Sequence, residues 1–313
     1  MGVGAVLAGE GETAFVELVR RLTEGREWRQ TPNLVFMNGG RLIRNEPAPL
    51  IDLDRSRSVF EPLRLQGPME LTRGCAWQCR YCQTPRLWQG AERHRSIAAA
   101  VALAARHHHF IQFLSPNALG YQSLRPREPN VRALVTLLET IRSRHPALRL
   151  NLGNFPSEVR PDYVTREALT ALRPLIHNRV LAMGAQSGSP RTLRAIGRGH
   201  GVKAVWRAVE IAQETGFVPL VDVLFGLPGE TPEEEALTRG LVHELARRNA
   251  RVRAHVFLPL PDSAFADSTP SPLSPETREL LEALGRVGAV DGAWRDQMRK
   301  PGGADPTDAA APA

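Results

Sequence analysis

At 313 residues, 42% of them hydrophobic, the chain can bury one sizeable core or one large domain with an appendage. Its apolar stretches are all broken by Arg, Pro or Gly short of a membrane span, and residues 1–10 lack the basic start and long apolar middle of a secretory signal, so a soluble cytoplasmic protein with no membrane partner is expected. The formal net charge is +7, but lysine occurs only at 203 and 300, and the arginines are spread along an Ala-, Gly- and Pro-rich chain; this reads as composition bias rather than a phosphate-binding face, and nucleic acid stays open only as an alternative partner.

Residues 3–8 are apolar and read as a strand, Gly9-Glu10-Gly11-Glu12-Thr13 as a turn, and 14–22 have helical spacing. Residues 34–36 and 42–43 flank Asn38-Gly39-Gly40, a hairpin signal. Residues 46–66, with Pro47, Pro49 and Pro62, read as a linker. From Met69 the chain alternates. Strands are predicted at 70–72, 110–114, 148–152, 180–185, 218–225 and 252–258. Helices are predicted at 97–105, 131–143, 166–175, 191–196, 203–215, 232–248 and 275–287. About six β-then-α units in series imply an α/β fold, with a parallel sheet and outer helices curled into a full or partial (β/α)6 TIM-like barrel. The division expected is a strand–helix–hairpin segment plus linker over 1–66, a core over 67–290, and a disordered tail over 291–313, which is Ala/Pro/Asp-rich from Pro301.

All three cysteines fall in Leu71-Thr72-Arg73-Gly74-Cys75-Ala76-Trp77-Gln78-Cys79-Arg80-Tyr81-Cys82, with the spacing C-x3-C-x2-C. An odd, clustered set is a poor disulfide framework and suggests a metal. Iron–sulfur clusters are normally held by four cysteines. Three thiolates on one loop leave one iron of a cubane open to a substrate or cofactor. The loop follows the first strand of the series, which in a β/α barrel is the catalytic face. Gly74 lets the chain turn sharply there. The competing reading is a zinc site short of a ligand or three incidental thiols. Zinc motifs usually pair two C-x2-C units, or one with histidines, and no second half is present.

The motif, an aromatic before its last cysteine included, resembles that of the radical S-adenosylmethionine (SAM) superfamily, over about residues 68–262. Gly184-Ala185-Gln186-Ser187-Gly188-Ser189, then Leu193 and Arg198-Gly199-His200, resembles the fourth-strand segment of the branch that includes cobalamin-binding members. Phe225-Gly226-Leu227-Pro228-Gly229-Glu230-Thr231 resembles the fifth, and His255-Val256-Phe257-Leu258-Pro259-Leu260-Pro261 the sixth. The resemblance implies a 4Fe–4S cluster on Cys75, Cys79 and Cys82, with SAM chelating the open iron. An electron, from a donor such as flavodoxin or ferredoxin, then releases a 5′-deoxyadenosyl radical that attacks a substrate the sequence does not identify. It also places Tyr81 near the adenine, Gln186 and Ser187 at the end of the fourth strand where Gln186 would hydrogen-bond SAM, Arg198 on the SAM carboxylate, and Gly226 and Gly229 with their backbone close to the adenine. Ser115-Pro116-Asn117 stands where many members carry a Gly-Gly-Glu-like segment, with Asn117 as its substitute, and Asp262-Ser263 stands where Gly-Thr is common.

Plainer readings run beside these. Tyr81 could be a packed loop aromatic, Ser187 and Ser189 helix caps, Arg198 a surface cation, Gly226 to Gly229 a turn, and His255 a core histidine. His107-His108-His109 suits a helix end. The N-terminal strand, helix and hairpin resemble the end of a cobalamin-binding (B12) domain; no Asp-x-His-x-x-Gly loop occurs before Cys75, so cobalamin is expected only if that domain is completed. A capping strand and helix on the barrel is the alternative. An RNA-modifying member and a non-enzymatic metal-binding protein remain the competing functions.

Overall fold

The structure, a computed structural model, describes residues 4–63, 65–87 and 92–300. The N-terminal unit holds β1 (Ala5–Leu7), α1 (Glu12–Thr23), β2 (Leu34–Asn38) and β3 (Arg41–Arg44), and short strands β4 (Val59–Phe60) and β5 (Leu65–Gln66) follow. Then come β6 (Met69–Glu70), β7 (Thr72–Arg73), α2 (Thr84–Leu87), β8 (Arg93–His94), α3 (Ile97–Ala104), β9 (Phe110–Leu114), α4 (Val131–Arg144), β10 (Arg149–Asn151), α5 (Arg166–Leu172) and β11 (Val180–Gln186). The chain continues through α6 (Pro190–Ala195), α7 (Val202–Glu214), β12 (Val218–Phe225), α8 (Pro232–Arg247), β13 (Arg251–Val256), α9 (Pro275–Arg286), β14 (Val290–Asp291) and α10 (Trp294–Met298).

Local chemistry fixes where the helices begin. Ser96, Asn130, Thr165, Ser189, Thr231 and Ser274 each accept the amide N–H three residues on, at the starts of α3, α4, α5, α6, α8 and α9. Such a cap contributes about 1 kcal/mol. Thr231 is reinforced by Glu234, whose carboxylate accepts the Thr231 N–H at 3.0 Å.

The strands pair in parallel in the order β6-β9-β10 and β11-β12-β13-β14. Residues 153–159 join the two sheets. Ala182 donates to Gly153 O at 2.7 Å, and Val159 donates to Ala182 O at 2.8 Å. Asn178 imitates a strand partner, accepting from Leu152 N at 3.0 Å and donating to Leu152 O at 2.9 Å. The result is the expected partial barrel of parallel strands with helices outside. Leu181, Met183, Ala185, Val221, Val223, Phe225, Val252, Ala254 and Val256 pack outward into one core with the helices. By strand alternation, Gly184, Gln186, Asp222, Leu224, Arg253 and His255 face the barrel interior.

Three expectations need correction. The strand expected at 70–72 is two. Leu71 N still bonds Leu114 O at 2.9 Å, but β7 then leaves the sheet to pair antiparallel with β8. The described residues within 46–66 form a packed strap, not a linker. Leu53 and Val59 are buried, Asp54 accepts from Ser96 N at 2.7 Å, and Ser58 Oγ lies 2.9 Å from His107 Nε2. The expected tail starts too early. β14 pairs with β13, and Trp294 is buried in the core, because an indole offers more apolar area than the short sheet edge can leave exposed. The rest of that tail, 301–313, lies outside the described residues. No helix among the described residues is long and apolar enough to cross a membrane.

Candidate active site

Gly74, with φ +83°, turns the chain out of β7 into the loop that carries the cysteines. The loop is pinned to the far side of the barrel mouth. Arg80 N donates to Ile196 O at 2.9 Å, Gln83 Nε2 donates to Pro261 O at 2.6 Å, and the Arg80 guanidinium lies 4.5 Å from the Phe265 ring centre. Trp77 is clamped as well. The Arg160 guanidinium stacks 3.6 Å from its ring centre, and a Cβ on Gly199 would come within 2.5 Å of the indole. Arg160 is itself held by Asp162 at 3.0 and 3.1 Å, and donates to Arg198 O at 2.6 Å.

Within the loop, Cys82 N donates to Cys79 O at 3.1 Å. Burial pushes the Cys75 thiol up to about 11, and Glu92, Cys79 and Cys82 add to the rise. Among the described residues, no three Cys, His, Asp or Glu side chains converge on one ion position. An all-sulfur set on one loop suits a cluster, where each sulfur takes its own iron. The residues present fit such a cluster.

Next to Cys79 sits Arg198. It is buried, and its Nη1 donates to Cys79 Sγ at 3.6 Å, its Nη2 to Gly184 O at 2.8 Å and its Nε to His200 Nε2 at 3.1 Å. Burial, then the Arg198 charge, pushes His200 down to about 3, so the imidazole is neutral and accepts that bond. A guanidinium has five N–H groups, so donors remain for a ligand. Gly184 leaves the room this needs: a Cβ there would lie 2.5 Å from Gln186 Nε2 and 2.6 Å from Arg198 Nη2. Gln186 ends β11 at φ +73°, an uncommon conformation for a residue with a side chain, beside a register shift against β12. A cavity of about 250 Å³ opens there, lined by Tyr81, Gln186, Leu224, His255, Phe257 and Leu260 among others. Tyr81 packs against the apolar cluster of Leu193, Ile196, Leu224, Leu227, Phe257 and Phe265, and burial pushes its phenol up.

The predicted residues separate into two groups. Tyr81 and Gln186 share the cavity; Arg198 does not line it, but bonds Gly184 O, two residues before Gln186, and Cys79 Sγ, two residues before Tyr81. Ser187 and Asn117 are spent on internal bonds. Ser187 Oγ lies 3.0 Å from Thr238 Oγ1 and accepts from Ser189 N, and Asn117 Oδ1 accepts from Arg160 N at 3.1 Å. Gly226 and Gly229 both take positive φ, +69° and +74°; Gly226 N donates to Glu230, and Gly229 O accepts from Arg191. His255 lines the cavity, beyond what its core reading predicts.

Two features carry no sequence signal of their own. The Arg160–Asp162 clamp comes from a three-residue stretch without periodicity. One layer below the cavity, Arg253 bonds Asp222 at 2.7 Å and also reaches Glu158, whose carboxyl burial and Asp222 push up to about 7. Only the alternation of β12 and β13 could have turned Asp222 and Arg253 inward together.

Thiols at the mouth of a parallel β/α half-barrel, beside a buried arginine and a strand-end cavity, make up the candidate site. The model of the radical SAM superfamily matches residues 69–240, and the chain belongs to that superfamily, whose members use a 4Fe–4S cluster and SAM. An uncharacterized protein of Methanopyrus kandleri is 30% identical over 169 residues, covering 50% of this chain and 31% of that protein. A tRNA-2-methylthio-N(6)-dimethylallyladenosine synthase of Chlorobium phaeovibrioides is 27% identical over 242 residues, covering 70% of this chain and 52% of the synthase. Among solved structures, the radical SAM methyltransferase TsrM from Kitasatospora setae, with cobalamin and cluster bound, superposes with a TM-score of 0.63 at 20% identity over 84% of this chain and 54% of that one. The cobalamin-dependent radical SAM enzyme OxsB gives a TM-score of 0.61 at 12% identity over 89% of this chain and 39% of that one. The two structural likenesses show the fold. The chain spans about half the length of these proteins or less.

Proposed function

We propose that this chain cleaves SAM reductively at a 4Fe–4S cluster held by Cys75, Cys79 and Cys82, and so starts radical chemistry on a substrate that enters the barrel mouth. The observation that carries the reading is Arg198, buried between Cys79 and the end of β11 with donors to spare. When bound, the cluster supplies the electron that breaks the sulfonium bond. The protein's part is binding and exclusion. Arg198 presents a fixed positive charge to the SAM carboxylate. Gln186 offers its amide to the same ligand. Tyr81, Leu224 and Phe257 form an apolar wall for the adenine, and Gly226 and Gly229 let backbone approach it. Ser187 and Asn117 act one step back: Ser187 ties α6 to α8, and Asn117 fixes Arg160 and hence Trp77. The electron donor is a flavodoxin or ferredoxin. Methyl transfer is the outcome we favour, with cobalamin only if the N-terminal domain is completed, since TsrM is a methyltransferase that binds it.

The test is anaerobic purification and reconstitution, followed by SAM and a reductant. About four irons per chain and formation of 5′-deoxyadenosine or a methylated product support the reading. Cys79→Ala should lose both iron and turnover. Stoichiometric zinc without iron in the wild type would sink it. A second reading, RNA modification, draws on the name of the Chlorobium relative. It requires tRNA binding that weakens steeply with salt.

A further inference from the structure

The loop that carries the cysteines is closed at its base by an unusual pair. β7 and β8 bracket it, and their register sets Arg73 directly opposite Arg93. Like charges at opposed strand positions push the strands apart. Here they flank a loop that must hold its sulfurs in one arrangement.

What offsets the repulsion comes from the N-terminal unit. Glu10, in the turn between β1 and α1, is 5% exposed. Its Oε1 lies 3.3 Å from Arg73 Nη1 and also pairs with Arg93 Nη2, while Oε2 accepts from Ile51 N at 2.7 Å. Arg93 Nη1 donates to Ile51 O at 2.6 Å, which fixes the guanidinium against the strap. Glu12, two residues on, reaches Arg73 Nη2 at 2.6 Å, and Glu70 grips Arg73 at 2.6 and 2.9 Å. Glu70 and Glu12 each contact only Arg73 of the opposed pair. Glu10 contacts both arginines.

We propose that Glu10 is a positioning residue for the cysteine loop: by bridging the opposed arginines at the loop's neck, it lets the N-terminal unit set the spacing of the three thiols. The N-terminal turn is then a working part of the site. The proposal rests on the reading of this loop as a cluster loop, but its first readout needs no cluster.

The test compares the full wild-type chain with Glu10→Gln, Glu12→Gln, Arg93→Gln and the double variant Glu10→Gln/Arg93→Gln. In the cluster-free proteins, iodoacetamide alkylation of each cysteine and amide exchange over residues 74–87 are followed by mass spectrometry. Loss of one charge-assisted bridge should raise loop exchange and alkylation in Glu10→Gln by about tenfold. Exchange in α7 and α8 should stay at the wild-type level. Glu12→Gln, which weakens the hold on Arg73 but leaves the bridge to Arg93 intact, should give a smaller change. The double variant should return toward wild type, because the repulsion has gone with Arg93. Iron retained after anaerobic reconstitution should follow the same order. Unchanged loop exchange in Glu10→Gln, loosening spread evenly over the chain, or a double variant worse than either single one would overturn the proposal. A wild type that takes up no iron would defeat the cluster reading instead, and the alkylation and exchange data would still decide the role of Glu10.

Discussion

Helices α1 and α7 carry the same kind of apolar stripe, and only α7 covers it. Val205, Ala208, Val209 and Ala212 of α7 are buried against β11 and β12. On α1 only Ala14 is buried, while Phe15, Val16 and Leu22 remain 59%, 65% and 56% exposed. Met37 and Leu42, on β2 and β3, are exposed as well. The barrel core is held by apolar area. The N-terminal unit buries a much smaller apolar set, Ala14, Leu34, Val35 and Phe36, and leans on polar contacts through Glu10 and through Asn33, which donates to Glu10 O at 2.7 Å and accepts from Ala48 N at 2.6 Å. Two adhesives in one chain should fail under different insults.

The largest effect belongs to the core. Trp294→Ala should cost about 3–5 kcal/mol in denaturant unfolding, as for other buried aromatics. A loss below about 1 kcal/mol would mean that β14 and α10 are not part of the core after all. Next comes the mouth. Gly184→Ala would drive a methyl group into Gln186 and Arg198. It should weaken SAM binding at least about tenfold in calorimetry, with little change in melting temperature, since both obstructing atoms are side-chain ends.

Two glutamates, Glu10 buried and Glu230 half-buried, sharpen the contrast through pH. Burial would raise the carboxyl of Glu10, but Arg93 and the Ile51 amide outweigh it and hold it below its ordinary value. Glu230 has no such cation. Burial, then Glu235, pushes it from 4.5 up to about 8, and its Oε1 is buried without a hydrogen-bond partner. Between those two pH values the folded chain keeps a proton that the unfolded chain has released. Glu230 therefore makes the fold less stable as pH rises from about 4.5 to about 8, and has no further effect above that. Glu230→Gln should flatten the fall in melting temperature over this window. An unchanged slope would show that Glu230 is ionised in the fold.

Most of the barrel was legible because its signals are local. Strand runs, caps such as Thr231 with Glu234, and the glycine at 74 each act within a few residues. The place of the cysteine loop after β7 and of Gln186 at the end of β11 was legible for the same reason, since both lie in contiguous motifs. What escaped depends on partners far apart in sequence. Asn117 and Ser187 sit in motif-like positions, yet their side chains are claimed by Arg160 and Thr238, which no spacing announces. Residues 46–66 look like a linker by their prolines, but the side chains of Asp54, Ser58 and Gln66 find Ser96, His107 and His108 across the fold. Trp294 was read as tail because a single aromatic has no periodicity.

The smallest predicted effect bears most directly on the difference between α1 and α7. An amphipathic pattern says that one face gains by leaving water; it does not say what covers it. For α7 the cover is the sheet, and Val209→Ser should destabilise the chain by about 2 kcal/mol or more through lost burial and an unpaired hydroxyl. For α1 the described residues supply no such cover, so Val16→Ser should stay within about 0.5 kcal/mol of wild type. Both values can be taken from urea unfolding of the same chain. If Val16→Ser proves as costly as Val209→Ser, then in solution the α1 stripe is covered, and the N-terminal unit is held by apolar area like the rest of the barrel. If the two values part as expected, the polar neck around Glu10 is the chief attachment of that unit, and variants there should loosen it without touching the barrel.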